Sequence, residues 1–127
     1  ECSYRIIMET EIIGLSTRER NIIANVVRYN TKEFRHYGTY EGGTTADRDN
    51  YLLIAKLTAI LRIANAMDRS HYQKVTEIRT VLKERELSVI LDSPRDLSLE
   101  LGLLRDKVEF FEEVFGIHLV LRRKRRI

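Results

Sequence analysis

Apolar residues keep a helical spacing through the first half of this chain and an alternating spacing after residue 72. Residues 3–13 place Ile6, Ile7 and Thr10 on one side of a helix, with Gly14 suited to its C-terminal cap. Ser16-Thr17-Arg18-Glu19 is a capping box: hydroxyl and carboxylate each satisfy an orphan amide at a helix start. The helix it opens carries Ile22, Ile23, Val26 and Val27 and ends near Tyr29 or Asn30. So short a connection predicts an antiparallel helix pair. The stretch Tyr51 to His71 is apolar at Leu52, Leu53, Ala55, Leu57, Ala59, Ile60, Ile63, Ala64 and Met67, which predicts a helix enclosed on most sides. Thr44 or Thr45 is its expected cap. Its polar residues, Arg62, Asn65, Asp68, Arg69 and His71, gather at the C-terminal end.

From Val75 onward the period is two. Val75, Glu77, Arg79 and Val81 alternate with Thr76, Ile78, Thr80 and Leu82, and Leu87, Val89 and Leu91 alternate with Ser88 and Ile90. Lys83-Glu84-Arg85-Glu86 between them predicts a hairpin turn. Pro94 behind Ser93 predicts a helix start. Leu97, Leu101, Leu104, Val108, Phe111 and Phe115 then form a stripe able to cover one face of a sheet. Gly116 ends that helix, and Ile117, Leu119 and Leu121 alternate as a third strand. Helices first and a β-β-α-β unit second is an α+β order. The expected division is a helical subdomain over 1–72 and a small β-β-α-β subdomain with a basic tail over 73–127. Residues 30–46, with Phe34, Tyr37, Tyr40 and three glycines, break the periodicity and read as a crossover lid pinned by its aromatics.

Composition narrows the function classes. The net charge of +3 is a property of Arg122, Arg123, Lys124, Arg125 and Arg126. Without those five, 17 Lys and Arg face 19 Asp and Glu, a net of −2. The body therefore lacks the field of a nucleic-acid binder, and binding of that kind would have to run through the tail. A single Cys2 excludes an internal disulfide and clustered-thiol zinc sites. The three histidines, His36, His71 and His118, lie far apart without metal-ligand spacing. The central helix is too short and too interrupted by Lys56 and Arg62 to span a bilayer. Together with an N-terminus lacking an apolar leader run, this makes the cytoplasm the expected location. A helical pattern that starts at once, without an initiator Met, reads as a piece of a longer protein.

The candidate chemistry centres on Asn65 to His71. Asn65 and Asp68 are neighbours on one helix face. Arg69 and His71 sit past the helix end, where the helix dipole favours cations. This reads either as an anion or metal site or as a helix end whose polar groups cap and pair. A phosphate-hydrolysing metal site needs more His and Asp ligands than stand here. Arg28, Lys32 and Arg35, with His36 beside them, add positive charge near the long loop.

These residues resemble a family. Glu11 to Arg20 with Ile23-Ala24 and Val27 to Asn30, then Leu61 to His71 (LRIANAMDRSH), Leu97 to Glu100 and Phe111 to Gly116, resemble the C-terminal region of exopolyphosphatase/guanosine pentaphosphate phosphohydrolase (Ppx/GppA) proteins. The 61–71 run is the most specific part; the family usually reads LRIADALDRSH there. The resemblance implies HD-domain-like helices and a catalytic, Mg2+-dependent actin-like module N-terminal to this region. The helix with the His-Asp pair would precede Glu1. It also implies polyphosphate or guanosine pentaphosphate as the parent's substrate, and a homodimer. Asn65 stands where the family usually has Asp, the last metal ligand of true HD enzymes, and Cys2 stands where His is frequent. Both departures favour a domain that is non-catalytic on its own and needs no cofactor. Arg28, Lys32, Arg69 and His71 are the polyanion-binding candidates, chosen on charge and position. An active metal-dependent HD phosphohydrolase and a nucleic-acid module working through the tail are the alternatives.

Overall fold

The computed structural model describes residues 2–10, 13–30 and 45–124. The chain is α+β: helices α1 (Cys2–Glu9), α2 (Thr17–Tyr29) and α3 (Thr45–Met67) precede β1 (Glu77–Lys83), β2 (Glu86–Asp92), α4 (Ser98–Phe115) and β3 (His118–Arg123). It divides into two compact units, Glu1–Leu61 and Arg62–Ile127. The long loop, its aromatics, and the side chains of Thr44 and Thr45 lie outside the described residues.

In the first unit the capping box forms as the sequence predicts. Glu19 N donates to Ser16 Oγ at 3.1 Å, and Ser16 N donates to Glu19 Oε1 at 3.0 Å. The Ser16 amide, and after it the Ser16 hydroxyl, hold the Glu19 carboxyl below its ordinary range. α1 ends at Glu9, short of the expected residue 13, and Arg20 reaches back to the Thr10 carbonyl at 3.3 Å. Gly14 takes φ +91°, a left-handed turn open to glycine, between the two helices. The core joins Ile22, Val26 and Tyr29 of α2 to Ile54 of α3, with Leu61 packed against it. Arg18 Nε donates to Asn50 Oδ1 at 3.0 Å along the same seam.

Two expectations about burial need correction. Ile23 is exposed, because the buried side of α2 runs through Ile22, Asn25, Val26 and Tyr29. α3 is not enclosed on most sides. Its small residues Ala55, Thr58, Ala59 and Ala66 are buried with Ile54 and Ile63, whereas Leu52, Leu53, Leu57 and Ile60 are 37–50% exposed. Small side chains let other backbone come close, so that face packs and the bulkier face is left out.

In the second unit β1 and β2 form an antiparallel hairpin closed by Glu84-Arg85, with Lys83 opposite Glu86 and Ile78 opposite Leu91. Glu84 takes φ +53° to make the two-residue turn. β3 runs parallel to β2, Leu87 facing Leu119 and Val89 facing Leu121, so the order is β1-β2-β3. A parallel neighbour requires a crossover, which α4 supplies. Its stripe is the predicted one: Leu97, Leu104 and Phe111 are buried, as are Val89, Leu91 and Leu119 of the sheet. The helix starts later than Pro94 suggests. Ser93 Oγ accepts from Arg95 N at 3.1 Å and forms a turn instead of a cap. Asp96 Oδ1 takes Ser98 N at 3.0 Å and Ser98 Oγ at 2.6 Å, satisfying the first turn and holding its own pKa low. Gly116 closes the helix at φ +67°, its amide donating to the Glu112 carbonyl at 2.8 Å. Glu112 Oε2 then accepts from Leu119 N at 2.8 Å, pinning the start of β3.

Arg122 and Arg123 belong to β3 and are not tail, and Lys124 N still donates to the Leu91 carbonyl at 2.8 Å. Among the described residues no helix is long and apolar enough to cross a membrane.

Ser16→Ala should destabilise the chain by about 1 kcal/mol in urea unfolding. Glu19 has a depressed folded pKa, so its contribution is present above the unfolded pKa and is lost as pH falls through the folded one. The stability gap between the native chain and Glu19→Ala should therefore narrow below about pH 4. A gap independent of pH would show that the carboxylate form is not what caps α2.

Candidate polyanion-binding surface

The second unit begins with the last turns of α3. Asp68 N donates to the Asn65 carbonyl at 3.3 Å, and His71 N donates to the Asp68 carbonyl at 3.0 Å, so the helix tightens as it ends. Asp68 Oδ1 accepts from Gln73 N at 2.9 Å. The one acid of this segment is thereby occupied in folding the chain back. His71 and Gln73 both adopt left-handed φ, +62° and +50°, which a non-glycine residue takes only when its surroundings fix it. Arg69 and His71 project from this turn as exposed residues, and Asn65 is exposed on the helix above. Arg69 makes no ion pair among the described residues.

Two links hold the turn onto the start of α4. Arg95 stacks over the Tyr72 ring, 5.5 Å from its centroid. Lys74 Nζ lies 2.9 Å from Glu100 Oε1, with Glu100 fully buried and Lys74 17% exposed. Neither Glu100 oxygen accepts a hydrogen bond of good geometry, so the ammonium is the charge partner of this carboxylate. Arg123 closes the cluster by donating to the Ser93 carbonyl at 3.1 Å and to the Arg95 carbonyl. On α3, Arg62 covers the Phe110 ring at 4.6 Å, and partial burial lowers its pKa, though a guanidinium stays charged.

Of the sequence candidates, Arg69 and His71 share one turn. Arg28 is in the other unit, in the last turn of α2, half-buried with its guanidinium 5.0 Å from the Tyr4 ring centroid and 5.8 Å from that of Tyr29. That is a packed cation more than a presented one. Lys32 lies outside the described residues. Among the described residues no three His, Cys, Asp or Glu side chains gather as a metal site would require. Among the described residues, Asn65 and Asp68 have no such partners.

Compared with protein-family models, residues 1–109 match "Ppx/GppA phosphatase, domain III". The chain belongs to the Ppx/GppA phosphatase family. No curated protein matches it. In this domain III the 61–71 run is the end of α3 and its exit turn, with His71 at left-handed φ. The match reaches most of α4 and stops short of β3.

Sequence reasoning missed Lys74, which falls among residues 72–74 before the alternation begins, and Arg95, which falls in the turn before α4. A signal existed in Glu100. It lies three residues after Leu97 and four before Leu104, on the buried stripe, where an acid demands a cation.

Lys74→Met should destabilise the chain by roughly 3 kcal/mol because Glu100 is left charged and buried. Combining Lys74→Met with Glu100→Leu should recover most of that loss in urea unfolding. If the single variant were neutral, the pair would not be what fastens the exit turn to α4.

Proposed function

We propose that this domain III is a non-catalytic part of an exopolyphosphatase or guanosine pentaphosphate phosphohydrolase-type enzyme, and that it binds polyphosphate and joins two copies of its parent. Phosphoanhydride hydrolysis, with the Mg2+ it requires, would belong to the parent's catalytic module in the cytoplasm. The helices 1–72 would serve as an HD-like scaffold without the metal, and 73–127 as its β-β-α-β companion.

The observation that carries the reading is the exit turn of α3. Asp68 Oδ1 accepts from Gln73 N, and the turn this bond holds carries Arg69 and His71 as exposed residues, Arg69 without an ion pair among the described residues. An inorganic polyanion carries closely spaced charge and no bases, and it rewards cations held in fixed places.

The 127-residue chain should bind long-chain polyphosphate at low salt, with affinity falling steeply as salt is added. Arg69→Ala should weaken that binding roughly 3- to 10-fold, as expected for one lost charge contact of about 1 kcal/mol. Fluorescence anisotropy reads both. No binding at low salt would refute the polyanion role. Metal-dependent phosphatase activity in the purified chain, abolished by Asn65→Ala, would refute the non-catalytic one.

A further inference from the structure

Of the two edge strands of the sheet, β1 and β3, β1 is the more exposed. All seven of its residues, Glu77 to Lys83, are exposed. The strand pairs with β2 along its whole length, without a bulge or proline. Alternate residues therefore present their amides and carbonyls to the open side. Its apolar residues are not where a finished edge would put them. Ile78 and Leu82 face the same side of the sheet as the buried Leu91, Val89 and Leu119, by register. Yet they are 50% and 64% exposed, because α4 packs over β3 and leaves β1 outside its cover. Natural edge strands usually carry inward charges or bulges that forbid pairing. β1 carries its charges only at its ends and on the opposite face.

The sequence of β1 is self-complementary. Laid antiparallel on a second copy of itself about Thr80, Glu77 falls opposite Lys83 at both ends, Ile78 opposite Leu82, Arg79 opposite Val81, and Thr80 opposite Thr80. The register preserves the pleat, so the helix-side apolar row continues from Leu91 and Ile78 into Leu82 and Leu87 of the second copy. The two Glu–Lys pairs lie on the other face.

We infer that two copies of this chain pair edge to edge through β1, antiparallel and centred on Thr80, to make one six-stranded sheet. The two-fold symmetry is that of an isologous interface, in which each residue meets its complement twice. Ladder hydrogen bonds supply the adhesion, and the end charges with the Ile78–Leu82 pairs select the register. The inference deepens the homodimer reading above by naming its surface.

Sedimentation velocity over a concentration series of the 127-residue chain, with charge-exchange variants, tests it. Glu77→Lys sets Lys against Lys twice and should weaken the dimer roughly 10-fold. Glu77→Lys combined with Lys83→Glu restores both pairs and should bring the affinity back to within about 3-fold. A second measurement does not depend on the charges. In a Cys2→Ser background, Thr80→Cys places two thiols on directly opposite residues, whose Cα atoms in an antiparallel pair are about 4.5–5.5 Å apart, within disulfide reach. Mild oxidation should give a covalent dimer, and Ser88→Cys on the interior strand should not. Circular dichroism confirms that each variant is folded. A dimer with no charge rescue and no Thr80→Cys cross-link overturns this interface and leaves the homodimer standing. A chain that stays monomeric at all concentrations, without cross-linking, overturns both.

Discussion

A fully buried carboxylate organises the second unit. Glu100 sits in the first turn of α4 with no water to solvate it, and the fold is tenable only because Lys74 is delivered to it. That requirement fixes where the segment after α3 must go. Once Lys74 is in place, the chain between it and α3 has little freedom. Asp68 folds back onto Gln73, two residues accept left-handed backbone, and Tyr72 lies under Arg95. The exposed Arg69 and His71 side chains are held by this arrangement although neither side chain takes part in it. A ligand that met Arg69 and His71 would find the turn that carries them already ordered.

Much of this was legible in the sequence, and the exceptions have a common cause. The capping box at Ser16, the hairpin about Glu84-Arg85, the Leu97-to-Phe111 stripe and the Gly116 stop are local, each decided by residues within one turn or one pleat, and the structure has all four. What failed depended on which neighbour arrives. The enclosure of α3 was inferred from its many large apolar residues, but packing favoured the alanine-rich face, so Leu53 and Leu57 are left half-exposed. Pro94 is a good first-turn residue, yet Ser93 and Asp96 use their oxygens for a turn and a later start. The partner of Glu100 is 26 residues away in sequence, in a stretch without pattern. The run at 61–71 did not reveal that Asp68 folds the chain back onto Gln73.

The distribution of charge changes once the strands are drawn. A terminal run of basic residues suggests a solvated tail for following a polyanion. Arg123 instead spends its guanidinium on two backbone carbonyls of the turn before α4, and Arg122 lies in the sheet. Side chains that secure a fold are poorly available for ligand. The basic character of the chain is therefore divided between cations that hold structure, such as Lys74, Arg95 and Arg123, and cations left exposed, such as Arg69.

The parallel pairing of β2 with β3 has a consequence for how the second unit is made. The β1–β2 hairpin closes through two residues, so it can form as soon as it is synthesised. β3 can join only after all eighteen residues of α4 have been made and laid back across the strands. Until α4 and β3 are in place, Val89 and Leu91 of the hairpin lack part of the cover they have in the folded unit. That interval is when this unit is most open to chaperones and to misassociation.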